Sequence, residues 1–177
     1  DKDYFFSNLN NFSKRIKNRI LFYLKGIKKL YGNKVYVCLS GGLDSTIIAY
    51  LAKKVFNEVI VISCSMLSDA DYKSLKNKTK INFSSKIFSN DFRKAYKISK
   101  VLGVKFKAVY FPSSNCTKDL KKIFRACQDW RDYNVHCAIL NFQIAKNLRS
   151  YKQYNNEPIL TGDFMNEYVA DYTSEII

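Results

Sequence analysis

A chain of 177 residues with 47% apolar content can bury one sizeable core, and residues 1–177 are read as a single domain. Its apolar runs fall far short of the roughly 20 residues that span a bilayer, and the opening DKDYFFSNLN has neither the basic start nor the apolar block of a secretory leader. Thirty Lys and Arg against 15 Asp and Glu give a net charge of +15, spread along the chain without an arginine-rich run; this reads first as compositional drift, with a polyanion such as nucleic acid as the second explanation.

From residue 3 to 31, Phe5, Leu9, Phe12, Ile16, Ile20, Tyr23, Ile27 and Leu30 recur in steps of three and four, which predicts one long amphipathic helix that stops at Gly32-Asn33. VYVCL (35–39) is a short apolar run of the kind buried on both faces of a sheet. Ile47, Ile48, Leu51, Ala52 and Val55 mark a second helix, and EVIVISCS (58–65) a second strand. Residues 66–88 are polar, rich in lysine and aperiodic, so the expectation is a loop or flap, with INFSSKIF as a short hairpin arm. Ser89-Asn90-Asp91 caps a helix carrying Phe92, Ala95, Tyr96, Ser99 and Leu102, and Gly103 stops it.

VKFKAVYF (104–111) is a third strand, ended by Pro112. Helices are expected near 117–128 and 133–150, the second striped by Val135, Ala138, Ile139, Phe142, Ala145 and Leu148. A fourth short strand, from Pro158, runs straight into Gly162-Asp163. Strands alternating with amphipathic helices give an α/β fold, a parallel sheet with helices on both faces. Ligands in such sheets bind beyond the carboxyl ends of the strands, where Ser40-Gly41-Gly42 and Thr161-Gly162-Asp163 both fall.

Five cysteines (Cys38, Cys64, Cys116, Cys127 and Cys137) without a Cys-x-x-Cys pair read as reduced thiols of a cytoplasmic protein. Cys38 and Cys64 are expected as core filler. Cys116, Cys127 and Cys137 lack a recognisable metal-ligand spacing, and the chain's one histidine is His136.

The stretch YVCLSGGLDST (36–46) carries the chemistry. Glycines at 41 and 42 let the backbone turn and leave no side chain between its amides and an oxyanion, while the helix that follows aims its free N–H groups and positive dipole end at the same spot. Ser40, Ser45 and Thr46 add hydroxyls. Asp44 repels bare phosphate and suits the site if Mg²⁺ bridges it to the phosphates. The alternative is an ordinary strand-to-helix turn with a capping Ser and Asp. A Walker loop is excluded, because no Gly-x-x-x-x-Gly-Lys is present.

SGGLDS after an apolar strand resembles the SGGxDS signature of the PP-loop ATP pyrophosphatases, and LSGGLDSTIIAYLA is similar to the asparagine synthetase branch. The resemblance implies the adenine nucleotide alpha hydrolase-like fold and a reaction in which ATP adenylates a carboxylate, pyrophosphate leaves into the loop, and ammonia or an amine displaces AMP. It implies ATP contacts at Leu39, Ser40, Gly41, Gly42, Asp44, Ser45 and Gly162, with adenine against the backbone near Ser63, Ser65 and Met66. TGDFMNEYVADY (161–172) resembles the family's TGEGxDExxxGGY. By that match Asp163 stands for the first acid, Asn166 for an Asp that helps hold Mg²⁺, Glu167 for the second Glu and Tyr172 for the Tyr. Asp44, Asp163, Asn166 and Glu167 are then the candidate metal ligands, and Asp163 and Glu167 candidate catalytic groups. Asn166 is a weaker ligand than Asp, and Phe164 replaces a glycine.

QDWRDYNVHCAILNFQIAKNL places Gln128 on a family Glu and His136 on a basic residue, although Gln cannot act as a general base. Lys73, Lys76 and Lys78 are candidates for a cation folding over ATP. No amino-terminal glutaminase domain is visible and five residues follow Tyr172, so the expectation is a domain truncated at its C-terminus or completed by a partner subunit. The leading reading is an ATP-dependent ligase taking a small-molecule carboxylate and a nitrogen nucleophile. The alternatives are a PP-loop tRNA-modifying enzyme, of lysidine synthetase or thiolase type, and a non-catalytic nucleotide-binding subunit.

Overall fold

The computed structural model describes residues 2–128, 132–152, 154–155 and 157–162. The order is α1 (Lys2–Tyr31), β1 (Lys34–Cys38), α2 (Leu43–Val55), β2 (Glu58–Leu67), α3 (Asp69–Lys76), α4 (Asn90–Leu102), β3 (Lys105–Pro112), α5 (Ser114–Cys127), α6 (Asp132–Arg149) and β4 (Ile159–Leu160). The strands form one parallel sheet in the order β3-β2-β1-β4.

Side chains alternate across this sheet. Val35 and Val37 of β1, Leu39 just past it, and Val59 and Val61 of β2 point to one face, where Leu24 of α1, Ala49 and Ala52 of α2 and Ala95 of α4 cover them. Tyr36, Ile60, Ile62 and Val109 point to the other, under Ile144 and Leu148 of α6. Helices on both faces explain why β1 and β2 read as unbroken apolar runs. The core face of α1 is rotated slightly from the expected stripe: Ile20, Leu21, Leu24 and Ile27 pack inward, whereas Tyr23 and Leu30 lie exposed.

Residues 66–88 differ from the expectation. β2 continues to Leu67, and Ser68 caps the short helix α3 through its hydroxyl, which accepts the Asp71 N–H at 3.1 Å. INFSSKIF forms turns rather than a hairpin arm. Its Phe83 sits among Phe88, Phe92, Tyr96 and Phe106, with ring centroids 5.5–5.9 Å apart. Phe88 stacks on Phe92 at 4.6 Å. Such contacts contribute about 0.5–1.5 kcal/mol each beyond area burial. The segment is therefore pinned to α4 and β3 by a small aromatic core with Leu67 and Leu75. Its aromatics are spaced to meet partners elsewhere in the chain, so no local period announces them.

Progress along the sheet reverses at β1. From β1 the chain steps to β2 and then β3, and it returns through α5 and α6 to place β4 on the other side of β1. The tips of β1 and β4 thus flank a topological switch point, where crossovers on opposite faces leave a crevice. Among the described residues no helix is long and apolar enough to cross a membrane.

Candidate functional site: the cleft at the tips of β1 and β4

The turn after β1 has two glycines with different jobs. Gly41 has φ +87°, and a Cβ there would lie 2.8 Å from the Asp91 carbonyl oxygen and 2.8 Å from Lys94 Cβ. It serves the left-handed turn and lets β1's tip press against α4. Gly42 has an ordinary φ of −81° and is the N-cap of α2. A Cβ on it would meet only the Ser40 hydroxyl, at 3.4 Å, so its exposed side faces open space.

Hydroxyls lock the turn. Ser40 Oγ and Ser45 Oγ are 3.0 Å apart, the Ser40 N–H donates to Ser45 Oγ at 3.2 Å, and Thr46 Oγ1 donates to the Gly42 carbonyl at 2.6 Å. Ser45 is buried. No side chain caps the start of α2, whereas Ser68 caps α3 and Ser89 caps α4. The first amides of a helix have no intrahelical acceptor, so α2 turns unspent donors and its dipole toward the cleft.

Gly162, just past β4, closes the other side. A Cβ on it would lie 2.7 Å from the Ser45 amide nitrogen and 2.9 Å from Ser45 Cα. The chain leaving β4 meets the first turn of α2 there without room for a side chain.

Together they open on a cleft of about 960 Å³. Of the residues singled out in sequence, Leu39, Ser40, Gly42, Asp44, Ser45, Ser63, Ser65, Met66 and Gly162 line it. Gly41 faces α4 instead. Gln128 is the C-cap of α5 at φ 51°, exposed, and does not line the cleft. His136 belongs to α6, and its side chain lies outside the described residues, as do Asp163, Asn166, Glu167 and Tyr172. Lys73, Lys76 and Lys78 are exposed and do not line the cleft.

Sequence reasoning missed Asp91, Cys137, Leu140 and Asn141, all of which line the cleft. Asp91 read as part of a helix cap, and only the close approach of α4 to Gly41 brings it to the site. The α6 residues lie off the stripe expected from the sequence and instead continue the helix face through which Ile144 and Leu148 pack on the sheet. Cys38 and Cys64 are half-buried: both pack against the core around Tyr36, Ile60 and Ile62, as expected, and both also line the cleft. Burial, with Cys38 and Cys116 nearby, pushes the Cys64 thiol up to about 12, so it is protonated at neutral pH. Cys116 Sγ lies 3.4 Å from Met66 Sδ. Among the described residues no group of three His, Cys, Asp or Glu can hold a metal ion.

Residues 32–163 match the family model described as asparagine synthase. The chain belongs to the asparagine synthase family. Membership implies ATP use, typically with Mg²⁺, and an uncapped α2 beside an open glycine turn fits an anionic phosphate group. Asp44 at the cleft wall fits a divalent cation bound with it. No curated protein matches the sequence. Similar solved structures include the NMN synthetase from Francisella tularensis, at 15% identity and TM-score 0.44, over 80% of this chain and 51% of that one. Another is a predicted subunit of tRNA methyltransferase from Methanocaldococcus jannaschii, at 20% identity and TM-score 0.40, over 78% of this chain and 56% of that one. The chain spans about half the length of these proteins.

Proposed function

We propose that this domain adenylates a carboxylic acid with ATP and passes the acyl group to ammonia or an amine. The observation that carries the reading is the side-chain-free junction of Gly42 and Gly162 around the uncapped start of α2. The amides there would hold the β- and γ-phosphates, with the Ser40 and Ser45 hydroxyls fixing the loop. Asp44, with Asp163, Asn166 and Glu167 of the segment following Gly162, would hold Mg²⁺. Bound Mg²⁺ neutralises phosphate charge. Adenine would lie against the β2 tip at Ser63, Ser65 and Met66, which line the same cleft.

In the first step a carboxylate oxygen attacks the α-phosphorus, the bond from that phosphorus to the α–β bridging oxygen breaks, and pyrophosphate leaves. In the second the nitrogen lone pair attacks the acyl carbon, the C–O bond to AMP breaks, and the nitrogen loses a proton. Helix amides prepositioned around the departing pyrophosphate need no reorganisation as its charge grows, which is where electrostatic catalysis is strongest.

The test is the product pair. Incubation with MgATP, a panel of carboxylic acids and ammonia should yield AMP and pyrophosphate. Formation of ADP and phosphate would reject adenylation. The +15 charge supports PP-loop tRNA modification as a second reading; tight RNA binding with a steep salt dependence would favour it.

A further inference from the structure

Gly41 lets the first turns of α4 press against the glycine turn, and one residue brought there is Lys94, whose Cβ lies 2.8 Å from where a Cβ on Gly41 would stand. A second tie fixes the same end of α4: the Ser89 N–H donates to the buried Ser65 hydroxyl of β2 at 3.0 Å. The backbone that carries Lys94 is therefore set rigidly against both the glycine turn and the β2 tip. Its ammonium lies 3.7 Å from the carboxylate of Asp91, a residue that lines the cleft, which puts the cation at the cleft rim. The pair is loose. Its separation exceeds that of a charge-assisted hydrogen bond and both side chains are more than half exposed, so the pairing itself contributes little.

We propose that Lys94 is a phosphate-binding residue of this site, its ammonium reaching past Gly41 to the β- and γ-phosphates of ATP and staying with the pyrophosphate as it leaves. The inference rests on the adenylation reading and adds a cationic side chain to the backbone amides at the start of α2. An ammonium has three donors on a flexible four-carbon stem, so it can turn donors to phosphate oxygens while keeping one on Asp91. It then also shields the phosphates from the Asp91 carboxylate, which otherwise repels them. A cation already in place gains strength as negative charge grows on the departing group. Lys73, Lys76 and Lys78, the candidates from sequence, belong to α3 and the turn after it and do not line the cleft. In sequence Lys94 is an ordinary partner for Asp91 on a helix surface, three residues away, and only the packing at Gly41 brings it to the turn.

The experiment titrates MgATP, magnesium pyrophosphate and AMP calorimetrically into wild type, Lys94→Gln and Lys97→Gln. Lys97 is also exposed on α4, so its variant removes the same charge further from the glycine turn. Lys94→Gln, or Lys94→Met should the first not fold, should lose about fivefold or more in affinity for MgATP and for magnesium pyrophosphate, as for a charged hydrogen bond screened at a solvent-facing rim. AMP binding by that variant, and all binding by Lys97→Gln, should change by less than about twofold, because screening weakens charges that make no contact. Unchanged MgATP affinity in a folded Lys94 variant would overturn the inference. So would an equal loss in Lys97→Gln, the mark of a diffuse field, or an equal loss for AMP, which has neither the β- nor the γ-phosphate. Each of these results leaves the adenylation reading standing, since wild type still binds MgATP. If wild type binds MgATP no more tightly than AMP, the reading of the glycine turn as a phosphate site fails and the inference with it.

Discussion

Replacing Gly41 with Ala should cost the fold far more than the same change at Gly42, although the two glycines are neighbours. At Gly41 the backbone has φ +87°, where an L residue pays about 1–2 kcal/mol. Its new Cβ would also stand 2.8 Å from the Asp91 carbonyl oxygen, 2.8 Å from Lys94 Cβ and 3.1 Å from the Ala95 nitrogen, all in the first turns of α4. Relief requires β1's tip and α4 to part, and such overpacking costs about 1–3 kcal/mol. The sum is about 2–5 kcal/mol, a large share of a typical domain's stability. For a chain of this size it should lower Tm by about 4–20 °C. Gly42→Ala places its Cβ 3.4 Å from Ser40 Oγ at φ −81°, so the cost is the loss of a favourable N-cap, up to about 1 kcal/mol. Thermal unfolding of both variants, followed by circular dichroism, decides it. A Gly41→Ala protein melting within about 2 °C of wild type, or a Gly42→Ala protein melting below the Gly41→Ala protein, would refute the division of labour.

Asp44→Asn should weaken nucleotide binding in Mg²⁺ and leave the smaller metal-free binding almost unchanged; equal losses with and without Mg²⁺ would remove Asp44 from the metal. Asp119 is buried between α5 and α6, with its carboxylate accepting from Lys146 Nζ and Gln143 Nε2, each at 2.9 Å. The Lys146 bond, against opposing burial, holds its pKa below the ordinary carboxylate value of 3.8. Its contribution is therefore present above about pH 4 and lost as pH falls through the lower folded value. Asp119→Ala, which strands the Gln143 amide, should cost about 1–3 kcal/mol at pH 7 and less near pH 3, read by urea unfolding at both pH values. Cys137 is exposed at the cleft wall and should react with iodoacetamide faster than Cys64, and MgATP should slow it; labelling mapped by mass spectrometry checks both rates.

The strand-and-helix frame and the glycine turn were legible because their rules are local. VYVCL is apolar on both faces, Ser89 and Gly103 bound their helix, and SGGLDST concentrates the residues an anion site needs. Phe83 was not legible, since its four ring partners come from α4, β3 and the residues just before them. Asp91 was overlooked for a related reason. As a helix-capping residue it has a sufficient local explanation, and its place in the cleft follows from packing at Gly41 rather than from any pattern in sequence. Leu140 and Asn141 were overlooked because the expected stripe of α6 ran through Ala138, Phe142 and Ala145, whereas the face that packs on the sheet runs through Ile144 and Leu148, and Ala145 is exposed.

The central claim is that the amides at the start of α2 hold the phosphates of ATP. Calorimetric titration of MgATP into wild type and Gly42→Val tests it most directly, because a side chain at residue 42 enters the open space before those amides while sparing the packing at Gly41 and Gly162. The account predicts one nucleotide per chain and at least a tenfold loss of affinity in a folded Gly42→Val protein, about 1.4 kcal/mol or more. Unchanged affinity in that folded variant would contradict it.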